Sequence, residues 1–158
     1  MTRVQIRSFV DDDVPTAALL LAGRQRRDRM SEPLLSPEYE DPRLCEQLLH
    51  GALDPKGDAV ALEGGRVIGY LLAVPGDDEL RGRHVWSGLE HHARAADASP
   101  EVVRHLYAHL AQQWVDDGRL HHYAVVPGAD LDPWLALAFG HEQIHAVRAT
   151  ASTTEPLR

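Results

Sequence analysis

Ten of the 158 residues are histidine, and two of them, His105 and His109, stand four apart in a stretch that reads as helix. That spacing presents two imidazoles on one helix face, where they can share a metal ion. His91-His92 and His121-His122 are further donors, but the sequence places no third ligand beside the first pair. The same face carries Glu101, Gln112 and Asp116, which reads as a solvated surface with a metal pair as the alternative. A second cluster is cationic. Arg24, Arg26, Arg27 and Arg29 crowd the end of the first long helix, either to meet an anionic acceptor or acidic partner or to favour the negative end of the helix dipole from solvent. A third feature is Ser99-Pro100-Glu101, which opens the most regular helix. The serine hydroxyl can cap the helix, the proline offers no N–H, and the glutamate brings a carboxylate into the first turn. Such a start repels an incoming anion.

The bulk of the chain bounds what these residues can do. Its length fits one domain, residues 1–150 with a polar tail over 151–158, and 44% hydrophobic with 25% charged residues is the balance of an ordinary globular protein. A net charge of −8 argues against nucleic acid as a partner, since phosphate neutralisation needs basic stripes. Cys45 is the only cysteine and cannot form an internal disulfide. The strand pattern from the first residues leaves no room for a secretory signal, so the cytoplasm is the expected compartment. No apolar run approaches the roughly 18 to 20 residues that span a bilayer, and a membrane span is excluded.

Element order follows from periodicity and caps. Val4 and Ile6 alternate with Arg3, Gln5 and Arg7 as a half-buried strand, and Asp11-Asp12-Asp13 offers caps for a helix from Val14 to Met30 whose second half reads as solvated. Asp41 and Pro42 begin a second helix with the apolar stripe Leu44, Cys45, Leu48, Leu49, Ala52 and Leu53. Residues 58–63 and 66–74 form a hairpin about Gly64-Gly65, followed by a turn at Gly76-Asp77-Asp78, a short strand at His84-Val85-Trp86 and a polar loop from Ser87 to Ala98. The helix from Ser99 points Val103, Leu106, Tyr107, Leu110 and Trp114 inward and stops at Gly118. Residues 120–126 give another strand. Asp132 and Pro133 start a short helix holding Trp134, and Gln143 to Ala149 reads as the last strand.

This order, with Glu63-Gly64-Gly65-Arg66-Val67-Ile68-Gly69-Tyr70-Leu71 as a hairpin and Ala138-Phe139-Gly140-His141-Glu142 as a turn after the fourth helix, resembles the GCN5-related N-acetyltransferase superfamily. The resemblance implies an α/β fold, a mixed and mostly antiparallel central sheet flanked by helices, here without the last strand that is normally inserted between the fifth and sixth. It also implies acetyl-CoA as cofactor and a small-molecule amine as acceptor in an active member. Such members hold the pyrophosphate on a loop of the form Gln/Arg-x-x-Gly-x-Gly/Ala at the start of the third helix, where backbone N–H groups and the helix dipole meet the anion. Residues 98–103 stand there instead, matching none of the diagnostic positions. The tyrosine that protonates the departing thiolate falls on Trp134, whose indole N–H delivers no proton at neutral pH.

These departures place the chain nearest the degenerate N-terminal halves of tandem acetyltransferases. They predict a pseudo-enzyme without ordinary acetyl-CoA binding, acting through association, with a homodimer or a second domain of the same family completing the sheet. The alternative is an active acyltransferase with an unusual hold on its cofactor. Glu90 would then be the general base and Tyr123 or Tyr107 the acid. The backbone of Trp86, Ser87 and Gly88 would line the pantetheine arm, with Ser99 and Val102 at the helix start. A histidine-based metal-binding domain is the third reading.

Overall fold

Gly64 and Gly65 close the tightest reversal of the chain, both at positive φ (58° and 82°), as a primed hairpin turn demands. In the computed structural model, which describes residues 3–53 and 57–149, they join β2 (Ala59–Glu63) to β3 (Arg66–Leu71) as the sequence predicts. β1 (Gln5–Ser8) pairs antiparallel with the other edge of β2, and β6 (His92–Arg94) with the other edge of β3, giving a sheet of order β1-β2-β3-β6. Ala61 faces Gly69 while Leu62 faces Val67, so Ile68 is the extra residue of a bulge. The bulge turns Ile68 and Gly69 towards the same face. A Cβ at position 69 would stand 2.8 Å from Val102 Cγ1 and 3.3 Å from Ala93 O, which is why this position in the sheet carries glycine.

A second sheet continues the first. β4 (Val74–Asp78) and β5 (Gly82–Ser87) form a hairpin, and β7 (His121–Ala124) adds parallel to β5, for an order of β4-β5-β7. Gly76-Asp77-Asp78 therefore lies within a strand and not in the expected turn, which falls at Glu79-Leu80-Arg81 where the Asp78 carboxylate accepts from Leu80 and Arg81 N–H at 2.9 and 2.7 Å. The expected polar loop after Ser87 holds a 3-10 turn, Leu89–His91, and then β6 itself.

Helices cover both faces. α1 (Val14–Ser31) and α2 (Pro42–His50) pack Val14, Leu21, Cys45 and Leu49 against Val60, Tyr70 and Leu72. α3 (Glu101–Asp116) packs Val102, Leu106, Leu110 and Trp114 against Ala59, Ala61, Ile68 and Leu71 on the opposite face. Val103 and Tyr107, expected on the inward stripe, flank it and are only partly buried. Asp41 caps α2 where the sequence puts it, its Oδ1 accepting from Arg43 N–H at 2.9 Å, whereas Asp13 precedes α1 without a side-chain cap bond. Gly118, at φ 74°, ends α3 with Arg119 N–H donating to Trp114 O at 2.8 Å.

Three further expectations need correction. The second half of α1 is not solvated, because Arg24 and Asp28 continue the stripe of Ala17 and Leu21 and are 1% and 8% exposed. The fourth helix, α4 (Leu131–Leu135), begins before Asp132 and Pro133, with Asp130 preceding it. Residues 143–149 form no strand and are exposed throughout; a strand pattern becomes a strand only beside a free edge, and this segment pairs with no strand among the described residues. The tail over 151–158 lies outside the described residues. No helix among those described is long and apolar enough to cross a membrane.

Candidate functional site

β5 and β7 run side by side only as far as Ser87 and Ala124, with Val125 N–H donating to Ser87 O at 2.9 Å as the last rung. Beyond it the 3-10 turn carries the chain over to β3, and β6 parts company with the strand end of β7. The result is a V between two strands that share a sheet below and diverge above. A free strand edge inside such a V offers backbone groups to a ligand.

In this chain the V is tied and filled. The His92 ring, 6% exposed, donates from Nε2 across the gap to Val125 O at 2.9 Å, which fixes the tautomer with its hydrogen on that nitrogen. Burial, with Arg24 nearby as a lesser cause, pushes the His92 pKa down to about 3, so the ring stays neutral. Arg94 reaches over with one guanidinium nitrogen to Asp130 Oδ1 and another to Ala98 O, both at 2.9 Å. Between these ties lies the Trp134 indole, 3% exposed and centred 5.1 Å from the His92 ring. Tyr107 and Phe139 hold it from the other side, with centroids 6.5 and 5.2 Å away. About 20 Å³ remains open between Tyr70, His92, Arg94, Val102 and Asp130, room for about one water molecule.

The outward edge of β6 is occupied as well. Register with β3 turns the carbonyls of His92 and Arg94 away from their neighbour, and α1 meets both: Arg24 donates to His92 O and Arg27 to Arg94 O, the latter at 3.3 Å. Arg24 lies 3.5 Å from Asp28 Oδ2. Burial pushes its pKa down and that of Asp28 up, each towards the neutral form. Arg26 and Arg29 both pair with Glu40, at 3.5 and 2.7 Å. Arg24 and Arg27 thus serve β6 from within the molecule, while Arg29 and the exposed Arg26 pair with Glu40.

At the start of α3, Ser99 Oγ accepts from Glu101 N–H at 3.2 Å and Ser99 O from Val102 N–H at 3.1 Å, while the Glu101 carboxylate pairs with Arg104. Val103 N–H donates to Pro100 O at 3.1 Å. The N–H groups of residues 101–103 are therefore all used within the chain, and the Val102 side chain is buried.

Comparison with known proteins then places the architecture. Neither a family model nor a curated protein matches the sequence. Solved structures do. A GCN5-related N-acetyltransferase from Ralstonia eutropha JMP134 superposes with a TM-score of 0.70 at 9% identity over 93% of this chain and 99% of its own. A predicted acetyltransferase from Clostridium acetobutylicum, solved with acetyl-CoA, gives 0.67 at 11% identity over 92% and 96%. A ribosomal-protein-alanine N-acetyltransferase from Brucella melitensis gives 0.63 at 14% identity over 94% and 100%. The chain has the fold of the GCN5-related N-acetyltransferases.

Within that fold the expected site residues stand apart, with Ser99 and Val102 at the start of α3 and the others in two further places. Trp86 and Tyr123 meet on the outer face of the second sheet, stacked with centroids 5.8 Å apart, and the Arg81 guanidinium lies over both rings. Glu90 sits on the 3-10 turn, its Oε1 3.3 Å from His91 Nε2, and its carbonyl accepts from the Tyr70 hydroxyl at 2.8 Å. His91 Nδ1 accepts from Gly88 N–H at 2.8 Å, and burial pushes this ring's pKa down. The backbone of Ser87 and Gly88, expected along a pantetheine arm, thus has partners of its own. Tyr107 OH meets His122 Nδ1 at 2.8 Å. No three metal-binding side chains come together among the described residues, and His105 and His109 sit half-buried and exposed on α3.

Arg94 and Asp130 are site residues that the sequence does not single out, while His92 and Arg24, singled out as a metal donor and as one of a cationic cluster, stand in the V in other roles. One signal was available: Ala17, Leu21, Arg24 and Asp28 recur at helical spacing, which puts the last two on the buried face.

Proposed function

We propose that this domain keeps the acetyltransferase fold without ordinary acetyl-CoA binding and acts through association, as a pseudo-enzyme or as one half of a larger assembly. The observation that carries this reading is the V itself, crossed by His92 to Val125 and by Arg94 to Asp130 and filled by Trp134. The two ties and the indole take up the room between the strands in which a pantetheine arm would lie. At the other end of the cofactor's path, Ser99, Pro100 and Glu101 leave a pyrophosphate no free N–H in the first turn and set a carboxylate beside it.

A second reading, acyl transfer to a small amine, has one feature in its favour. The Glu90 side chain is 37% exposed beside a buried histidine, as a base open to an acceptor would be. Thermal unfolding with acetyl-CoA separates the two. A ligand present at a hundred times its Kd adds about 2.7 kcal/mol of stability, so an active member would melt higher at millimolar acetyl-CoA. The expected result is an unchanged Tm, both for the native chain and for Glu101→Gly, because relieving the helix start leaves the V filled. A clear rise in the native chain favours the acyltransferase.

A further inference from the structure

Four strands lie at the edges of the two sheets, and they differ in how they refuse company. The outward carbonyls of β6 are met by Arg24 and Arg27 of α1. β4 carries Pro75, Asp77 and Asp78, devices that keep another strand away. β1 ties Arg7 to Asp13 at 2.6 Å beside its free edge. β7 reads His121-His122-Tyr123-Ala124, with no proline, no lysine and no formal charge at neutral pH, and β5 takes only one of its two edges. It is the unguarded edge of the described structure.

The same chain holds a segment with the opposite lack. Gln143 to Ala149 is exposed at every residue, with Ile144 and Val147 at 82% and 60%, and pairs with no strand among those described. It is longer than the four residues of β7 and carries no proline. One edge without a strand and one strand-length segment without an edge sit in a single molecule and are left apart there.

We propose that two copies of this chain complete each other's second sheet, with residues 143–149 of each lying along the free edge of β7 in the other. The inference rests on the reading of this domain as one that acts by association, and it names the partner. A second copy fits because each copy both gives a strand and receives one. The interface then closes on a two-fold axis with neither β7 edge left open. Main-chain hydrogen bonds hold the added strand, and Ile144 and Val147, three apart, fall on its two opposite faces.

Light scattering on the full chain, raised to about 200 µM, is expected to reach the dimer mass, since such an assembly follows mass action. Mixing chains carrying His121→Cys with chains carrying Ala146→Cys, then adding a short bis-maleimide, is expected to link unlike chains. Ala146→Pro removes a ladder donor and is expected to give a monomer whose Tm at high dilution is unchanged, because the segment is exposed at every residue. A chain carrying both cysteines that links within itself at high dilution overturns the proposal, as does a full chain that stays monomeric at the highest concentration. A dimer that survives Ala146→Pro and yields no cross-link also overturns it, yet leaves association through another face standing. Tight acetyl-CoA binding speaks against the broader reading and not against this interface.

Discussion

Replacing Trp134 with alanine is expected to lower the stability of the domain by about 3–5 kcal/mol, the usual cost of removing a buried tryptophan, and to lower Tm by about 10 °C or more. The indole is 3% exposed and lies between His92, Tyr107 and Phe139, so its loss joins the two small spaces on either side of it, about 20 and 10 Å³, into one cavity. α4 has five residues and no stability of its own at that length, so nothing local keeps it in place once its anchor is gone. Trp134 Nε1 has no hydrogen-bond partner, which means that its contribution is shape and apolar contact. Free indole should therefore refill the site, and indole in excess is expected to raise the Tm of Trp134→Ala while leaving that of the native chain unchanged. Calorimetry with and without indole reads both effects. A loss below about 1 kcal/mol would place the side chain in solvent and the V open.

Acid is the second large lever. The pKa of His92 lies at about 3 in the folded chain because burial disfavours the charged ring, against an ordinary value of about 6.5 when unfolded. The unfolded chain thus binds a proton that the folded chain refuses. The stability this ring contributes is complete above pH 6.5 and is lost as the pH falls from there towards 3. At about 1.4 kcal/mol per unit, His92 alone removes about 2 kcal/mol by pH 5. His91 and His122 are also pushed down by burial and act in the same direction. Asp28, pushed up by burial, opposes them, and Asp13, held down by Arg7, adds to the loss only below the ordinary aspartate range. Urea unfolding at pH 7.5 and pH 5 should show the loss, and His92→Gln, which keeps a donor for Val125 O without a titrating ring, should reduce it by about 2 kcal/mol. Equal stability at the two pH values would mean that the ring meets water.

What the sequence discloses here is what neighbours in the chain decide. Gly64-Gly65, Asp41-Pro42, Ser99 and Gly118 each settle their turn or cap through atoms a few residues away, and each stands where it is expected. Trp134 is legible as a replacement for a tyrosine. Its role as the filling of the V is not, because the residues it packs on, His92 and Tyr107, are distant in the chain. β6 escapes because three residues, interrupted from β5 by a 3-10 turn, owe their strand character to β3 and to nothing in their own pattern. The arginines of α1 mislead by composition: four cations in one short run suggest solvent, yet the helical period puts Arg24 inside. The strand expected over 143–149 fails for the converse reason, a good local pattern with no edge beside it.

The two arms of the V are bound to each other, and the imidazole of His92 reports this at a single atom. Nitrogen NMR of its ring between pH 7 and pH 5 should find one neutral tautomer, hydrogen on Nε2, unchanged across the range and unchanged by millimolar acetyl-CoA. A ring that titrates near 6.5 with both tautomers in exchange, or one whose Nε2 signal moves when acetyl-CoA is added, would contradict it.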